Sequence, residues 1–287
     1  MNWLSGNNLV IWINIKLSQM EILIKISRIS YGLMVAALGF QQLAYADFRP
    51  VVIPPLWLAN IPGYVIWVYL LSVILITAGI AIMIDKKTRL ASLILGGIFL
   101  LLLIFCEIPY EIFNDPNNGH LGVWGDALKE LAFAGGAFVV AGSYPTTVAE
   151  VPKNNSLTNL LEKLIPLGSV FFSITMVCFG ICHLLYAVFI SALVPNWIPG
   201  HIFWTYFAGV ALIGSGLGII FNIKLKLNAL LLALMIFLWF IFLHIPRGVA
   251  DPFSGKGNEI SSIFEAFGFS GTAYLIACGY FLPKETN

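Results

Sequence analysis

The stretch Val194-Pro195-Asn196-Trp197-Ile198-Pro199-Gly200-His201-Ile202-Phe203-Trp204-Thr205-Tyr206, with the apolar, glycine-spaced run that follows it to Phe221, decides how the chain is read. A second version lies upstream: Pro62, Gly63, Trp67, Tyr69 and Gly79 answer Pro199, Gly200, Trp204, Tyr206 and Gly216 at one constant spacing. The correspondence extends in both directions. Gly39 and Tyr45 match Gly180 and Tyr186; Leu90, Ile104, Phe105, Ile108 and Pro109 match Leu227, Ile241, Phe242, Ile245 and Pro246. Asp115-Pro116 and Gly119 match Asp251-Pro252 and Gly255, and Phe133, Gly135, Ala137 and Ala141 match Phe269, Gly271, Ala273 and Ala277. A near-fixed offset held over this many positions marks a tandem duplication.

Composition says what medium the copies occupy. The chain has 287 residues, of which 59% are hydrophobic and 10% charged, and a mean hydropathy of +0.91. That leaves too little polar surface to coat a water-soluble globule, so the bilayer is the solvent. Runs this long and apolar must satisfy their backbone internally, which restricts them to helices. Spans are expected near 26–46, 64–84, 89–108, 125–144, 166–189, 201–221, 225–244 and 262–282, each close to the ~20 residues a hydrocarbon core requires. The expected fold is therefore an all-α polytopic membrane protein with eight transmembrane helices. It divides into two four-helix units, 26–145 and 166–283, joined by a cytoplasmic linker at 146–165. An even number of spans per unit makes the two copies parallel, related by an axis along the membrane normal. Residues 1–25 mix Trp3, Ile11, Trp12 and Ile13 with Asn7, Asn8, Asn14 and Lys16, the pattern of an amphipathic segment lying in the interface.

Charge sets the orientation. Lys16, Lys25, Arg28, Lys86, Lys87, Arg89, Lys153, Lys163, Lys224, Lys226 and Lys284 all fall on one side if eight spans alternate. The other side holds Arg49, Arg247 and Lys256, with Lys129 inside the start of the fourth span. By the positive-inside rule both termini are cytoplasmic, and an inner (plasma) membrane of bacterial type is expected. Ala44-Tyr45-Ala46 after an apolar run imitates a signal-peptide cleavage site. Tyr186-Ala187 takes the same place in the second copy, so the first span is read as retained. The basic residues are scattered, which excludes a nucleic-acid footprint. Cys106, Cys178, Cys182 and Cys278 sit inside apolar runs and read as small hydrophobes.

Gly180, His183 and Tyr186, then Val194-Pro195-Asn196-Trp197-Ile198-Pro199 and Phe203-Trp204, resemble the DoxX-like integral membrane proteins. Leu128 to Ala137 in the first copy resembles the same family. The likeness covers both units and implies a four-helix fold. The usual member has one such unit, so the duplicated chain stands as a fused equivalent of a dimer. Some members are membrane subunits of quinone-linked sulfur oxidoreductases or of thiol and oxidative-stress systems. The resemblance thus implies a quinone-like ligand and a membrane oxidoreductase partner, and it transfers no catalytic signature.

Polar groups within spans are costly and are the natural site candidates. Here they gather toward the outer leaflet, and matched positions carry different chemistry in the two copies. Gln42 corresponds to His183, Glu107 to His244, and Tyr64 to His201. His183 and His244 are expected at similar depth. They can hydrogen-bond a quinone carbonyl or, less readily, hold a metal or haem iron; the plainer alternative is two unrelated interface histidines. The expected ligand-binding set is His183, His244, His201, Trp204, Tyr206 and Gln42. Glu107 and Glu111 stand one helical turn apart and, with His244, are the candidates for acid and base chemistry on a lipid or isoprenoid. Glu130 is expected to pair with Lys129 or Arg49 or to cap a helix. Arg247 and Asp251 are expected to brace their loop. A binding or accessory role leads, a membrane enzyme is the alternative, and a small-molecule transporter is third because no span shows a charged relay.

Overall fold

A computed structural model describes residues 6–54, 57–58, 60–144 and 156–279, with side chains from residue 19 onward. Pro152, Lys153 and Lys284 lie outside the described residues. The described chain is all-helical. The helices are α1 Gly6–Tyr45, α2 Tyr64–Met83, α3 Thr88–Leu102, α4 Ile108–Phe113, α5 Gly125–Gly142, α6 Ser156–Glu162, α7 Gly168–Leu185, α8 Ala187–Ser191, α9 His201–Ile220, α10 Leu225–Trp239, α11 Ile245–Ala250 and α12 Asn258–Ala277. Seven helical stretches among the described residues are long and apolar enough to cross a bilayer. The helix expected as the fourth span, α5, is not among them. It is 18 residues long and carries Asp126, Lys129 and Glu130 in its first two turns.

At the N-terminus α1 runs unbroken from Gly6 through the first span to Tyr45, so among the described residues no break separates the expected amphipathic segment from that span. No proline or glycine lies between Asn7 and Tyr31 to interrupt it.

The matched residues build matched local structure. Gly63 and Gly200, at φ 69° and 75°, precede α2 and α9 in the left-handed region that glycine enters without penalty. Lys87 and Lys224 take that same region before α3 and α10. A π-turn at Leu103–Glu107 joins α3 to α4, and its counterpart at Phe240–His244 joins α10 to α11. Pro109 and Pro246 lie directly beyond these turns and cannot donate to the carbonyl four residues back, which favours the wider i→i+5 coil. Helix crossings agree as well. A Cβ added to Gly39 would meet the Ser72 carbonyl at 2.8 Å, and one on Gly180 would meet the Gly209 carbonyl at 2.6 Å. In both cases α2 or α9 approaches to backbone contact, the small-residue packing of helices in lipid.

The two stretches 26–145 and 166–283 do not close as separate bundles. α1 packs on α2 and also on α12, while α7 packs on α9 and also on α5. Each half therefore lends its first helix to the last helix of the other, and α5 meets α12 at the centre. Along that central seam, aligned residues face each other. Phe133 and Phe269 meet at 5.7 Å between ring centroids with their planes tilted by 42°, a Cβ on Gly136 would touch Thr272 Oγ1 at 3.0 Å, and Lys129 Nζ lies 3.2 Å from Glu265. These pairs recur at the four- and three-residue steps of one helix face.

A clasp beyond the C-terminal end of α1 also joins the halves. Arg49 is 2% exposed and donates to the Lys256 carbonyl at 2.5 Å and to Ser261 Oγ at 3.0 Å. Gln41 donates to the Gly257 carbonyl at 3.0 Å, and Lys256 pairs with Asp47, which also accepts from Tyr64. On the opposite rim, His120 stacks on Tyr186 at 4.1 Å. At the other end of the bundle Arg89 pairs with Glu162 at 3.0 Å and donates to the Ala141 and Tyr144 carbonyls, satisfying the C-terminus of α5.

Two outcomes follow. Lys129→Met leaves Glu265 buried beside one fewer cation and should lower unfolding stability by about 3–5 kcal/mol. The exchange Lys129→Glu with Glu265→Lys should restore most of that loss in a thermal-unfolding cycle, and full additivity of the two changes would contradict a direct pair. For the clasp, burial raises the Asp47 carboxyl, but hydrogen bonds from Lys256 and Tyr64 and the Lys256 charge outweigh it, so its pKa is lowered. Its contribution is therefore complete above about pH 4 and lost as pH falls through the folded-state value. Asp47→Asn should flatten the acid limb of a stability-versus-pH curve while lowering the neutral plateau.

Candidate functional site

The inner face of α3 and its continuation reads Ser92, Gly96, Phe99, Leu103, Glu107 and Glu111, all buried. Successive four-residue steps drift around a helix of 3.6 residues per turn. The wider π-turn takes up that drift, so Glu107 and Glu111 both stay on the buried face of the segment. Meanwhile Ile104 and Phe105 on the same turn are 50% and 66% exposed. Glu130 enters the same region from α5, which packs against α3 and the π-turn. Below it Phe99 and Phe133 meet at 5.4 Å.

The three carboxylates are enclosed: Glu107 is 1% exposed, Glu111 5% and Glu130 0%. Glu107 Oε1, Glu111 Oε2 and both oxygens of Glu130 have no hydrogen-bond partner. They lie close enough for their charges to act on one another, Glu107 on Glu130 and Glu111 on Glu107, with Asp126 acting on all three. No ion pair among the described residues reaches any of them. The neighbouring lysine turns away, since Lys129 binds Glu265 at 3.2 Å and Asp126 at 3.6 Å. The pairing of Glu130 with Lys129 or Arg49 expected from sequence is therefore corrected: Arg49 is held in the clasp, and Glu130 stands without a base. The carboxylates do not converge into a metal-binding group among the described residues. At the outer end Trp57 meets the Tyr110 ring edge-on at 6.3 Å. An apolar recess of about 230 Å³, lined in part by Leu58, Trp67, Leu70, Leu71, Ile74 and Leu102, lies along α2 and α3.

The matched region of the second half has lost this chemistry. His244 stands where Glu107 does, Gly248 where Glu111 does and Ala266 where Glu130 does. His244 Nδ1 is buried without a partner. His183 bonds through Nδ1 to the Phe179 carbonyl at 2.7 Å and stacks on Trp239 at 6.1 Å, while Trp197 meets Phe242 at 6.2 Å.

The other expected binding residues are dispersed. Trp204 and Tyr206 are 45% and 47% exposed, on the outward face of α9 with Phe203 and Phe207, while Thr205, Ala208 and Gly209 face the bundle. Trp204 donates to the Pro199 carbonyl at 3.1 Å. His201 opens α9 half-buried. Gln42 is fully buried and spent on structure, donating to the Val68 carbonyl at 3.0 Å and accepting from the Arg49 amide. Arg247 braces its loop as expected, pairing with Glu259 and donating to the Leu193 carbonyl at 3.1 Å. Cys178 and Cys182 are free and half-buried. Sequence reading missed Glu130 as a site residue. Its signal was present in the alignment, where a buried charge in one copy faces alanine in the other.

Compared with known proteins, the chain matches no family model, no curated protein and no solved structure.

A buried carboxyl without a partner costs stability. Glu130→Leu should therefore raise the unfolding stability of the detergent-purified protein by about 1–3 kcal/mol. A loss of that size in the same thermal scan would mean the carboxyl is held by a partner within the fold.

Proposed function

We propose that this chain is a DoxX-like integral membrane protein that binds an amphiphilic small molecule at the outer leaflet, as an accessory or binding component for a membrane oxidoreductase. In this reading α5 is a span despite its charges, giving eight spans in two parallel-related units with both termini cytoplasmic and an inner-membrane location. What supports the architecture is the set of aligned residues meeting along α5 and α12, Lys129 with Glu265 and Phe133 with Phe269. Aligned residues meet in this way when two copies share a two-fold axis between parallel helices. Lys129 and Glu265 also shield each other, which lowers the cost of carrying α5 into the bilayer.

What supports the binding role is one observation: three enclosed carboxyls, on the α3–α4 segment and on the α5 that packs against it, present four oxygens lacking any partner. Buried polar groups are normally satisfied, and those left open mark functional places more often than accidents of packing. The ligand's polar head meets Glu107, Glu111 and Glu130 in the first half, and its apolar body lies along α2 and α3. A quinone-like head is accommodated through carboxyl O–H donors to its carbonyls. His183 and His244 form the lesser, second-half counterpart.

A second reading, a membrane enzyme, draws on Glu107 and Glu111 lying one turn apart on one face, a spacing suited to sharing acid and base roles. The test is extraction and mass analysis of lipid and quinone copurified with the wild-type chain and its variants. Glu107→Gln and Glu130→Gln should deplete a specific amphiphile, whereas His183→Ala should leave most of it. If every variant carries the same bulk lipid profile as wild type, the binding role fails. Product accumulation from a lipid substrate that stops in Glu107→Gln, with ligand still bound, favours the enzyme.

A further inference from the structure

We propose that the outer end of α3, α4 and α5 receives an organic cation, an amine or quaternary ammonium group carried on an apolar body. The inference rests on the outer-leaflet binding role and gives its ligand a chemical class.

The geometry begins with Glu107 and Glu111 on one helix face. Glu130, from a different helix, is wholly enclosed, and neither of its oxygens is bonded. Its helix, α5, packs against the π-turn that carries Glu107. What these carboxyls lack is a counter-charge. Among the described residues, the lysines and arginines at this end are committed elsewhere: Lys129 to Glu265 and Asp126, Arg49 to the Lys256 carbonyl and Ser261, Arg247 to Glu259, and Lys256 to Asp47. Arg49 and Lys129 are turned toward the second half, where Glu265 is. Three buried carboxyls with no base in reach are matched by a cation that arrives from outside the fold and balances the charge they gain on giving up their protons.

The kind of cation follows from the spacing. The three carboxylates do not close into a metal-binding group, so a small inorganic ion that demands short, convergent oxygen contacts is a poor match. An ammonium head spreads its charge over a larger surface and interacts with separated carboxylates. Tyr110 sits on the same short helix between Glu107 and Glu111, with Trp57 against its ring, and aromatic faces attract such heads. The surroundings suit the body of the ligand. Ile104 and Phe105 carry the lipid phase up to the π-turn, and the recess beside Leu102 offers only apolar side chains.

The experiment uses the full chain in phosphatidylcholine nanodiscs with three probes: radiolabelled 4-phenylbutyl-trimethylammonium, its uncharged carbon isostere and decylubiquinone. The expected result is saturable binding of the ammonium probe, weakened about tenfold or more by Glu107→Gln and by Glu130→Gln. The exposed control Glu21→Gln should leave it unchanged, and the isostere should show only non-saturable partition. Each variant is first checked by thermal unfolding, and two separate glutamines keep the test open if one variant folds poorly. Absent ammonium binding, or binding equal in both variants and wild type, overturns the cation. Should decylubiquinone alone bind and depend on the same carboxyls, the cation is wrong and the outer-leaflet binding role stands. If no probe depends on them, both fall.

Discussion

The ion pair between Lys129 and Glu265 sets the surroundings of the three buried carboxyls. A lysine held in a mostly apolar wall needs a carboxylate, and α5 offers it Glu130 one residue away. It takes Glu265 from the other half instead, because adjacent residues on a helix point about 100° apart and the seam faces α12. That choice has two consequences. It ties the halves at their centre with a buried, partly desolvated pair whose loss leaves an uncompensated charge. It also strands Glu130, and with it Glu107 and Glu111, in a region with no base of its own. The seam that holds the molecule together is thus the reason that a partnerless acidic space exists at all.

How far the sequence could be read depended on what lipid does to side-chain patterns. Long apolar runs and the paired local motifs were legible because bilayer thickness fixes span length and because Gly63 and Gly200, or Pro109 and Pro246, are needed by local geometry. Which face of a span looks inward was not legible by hydrophobicity. The lipid is as apolar as the core, so the usual contrast disappears. Trp204 and Tyr206 illustrate the failure: as large amphipathic rings they suggested a pocket, yet they point outward while Thr205, Ala208 and Gly209 make the contact with α7. Small residues carried the missing signal. Gly39 against Ser72 and Gly180 against Gly209 mark the inner faces that aromatic content misplaced.

The interlocking of the halves was also beyond spacing alone. Counting four spans per copy suggests two self-contained bundles, but α1 closes on α12 and α5 on α7. Helix order along the chain constrains which neighbours are possible and not which copy supplies them. Gln42 shows the same limit at the level of one residue. As a polar group within a span it looked available, but the clasp consumes it, because Arg49 must be anchored where the chain turns over the outer end of α1.

Comparing the halves then separates structure from function within a single chain. Features kept at aligned positions, the π-turns, the left-handed caps and the glycine crossings, are those that any such fold needs. Features that differ are free of that requirement, and the largest difference is the replacement of Glu107, Glu111 and Glu130 by His244, Gly248 and Ala266. The second half packs with histidine, glycine and alanine there, so no backbone or packing demand calls for acids at these places. Three carboxyls that the architecture does not require and that carry oxygens without a partner inside it are the groups in which the first half departs furthest from the second.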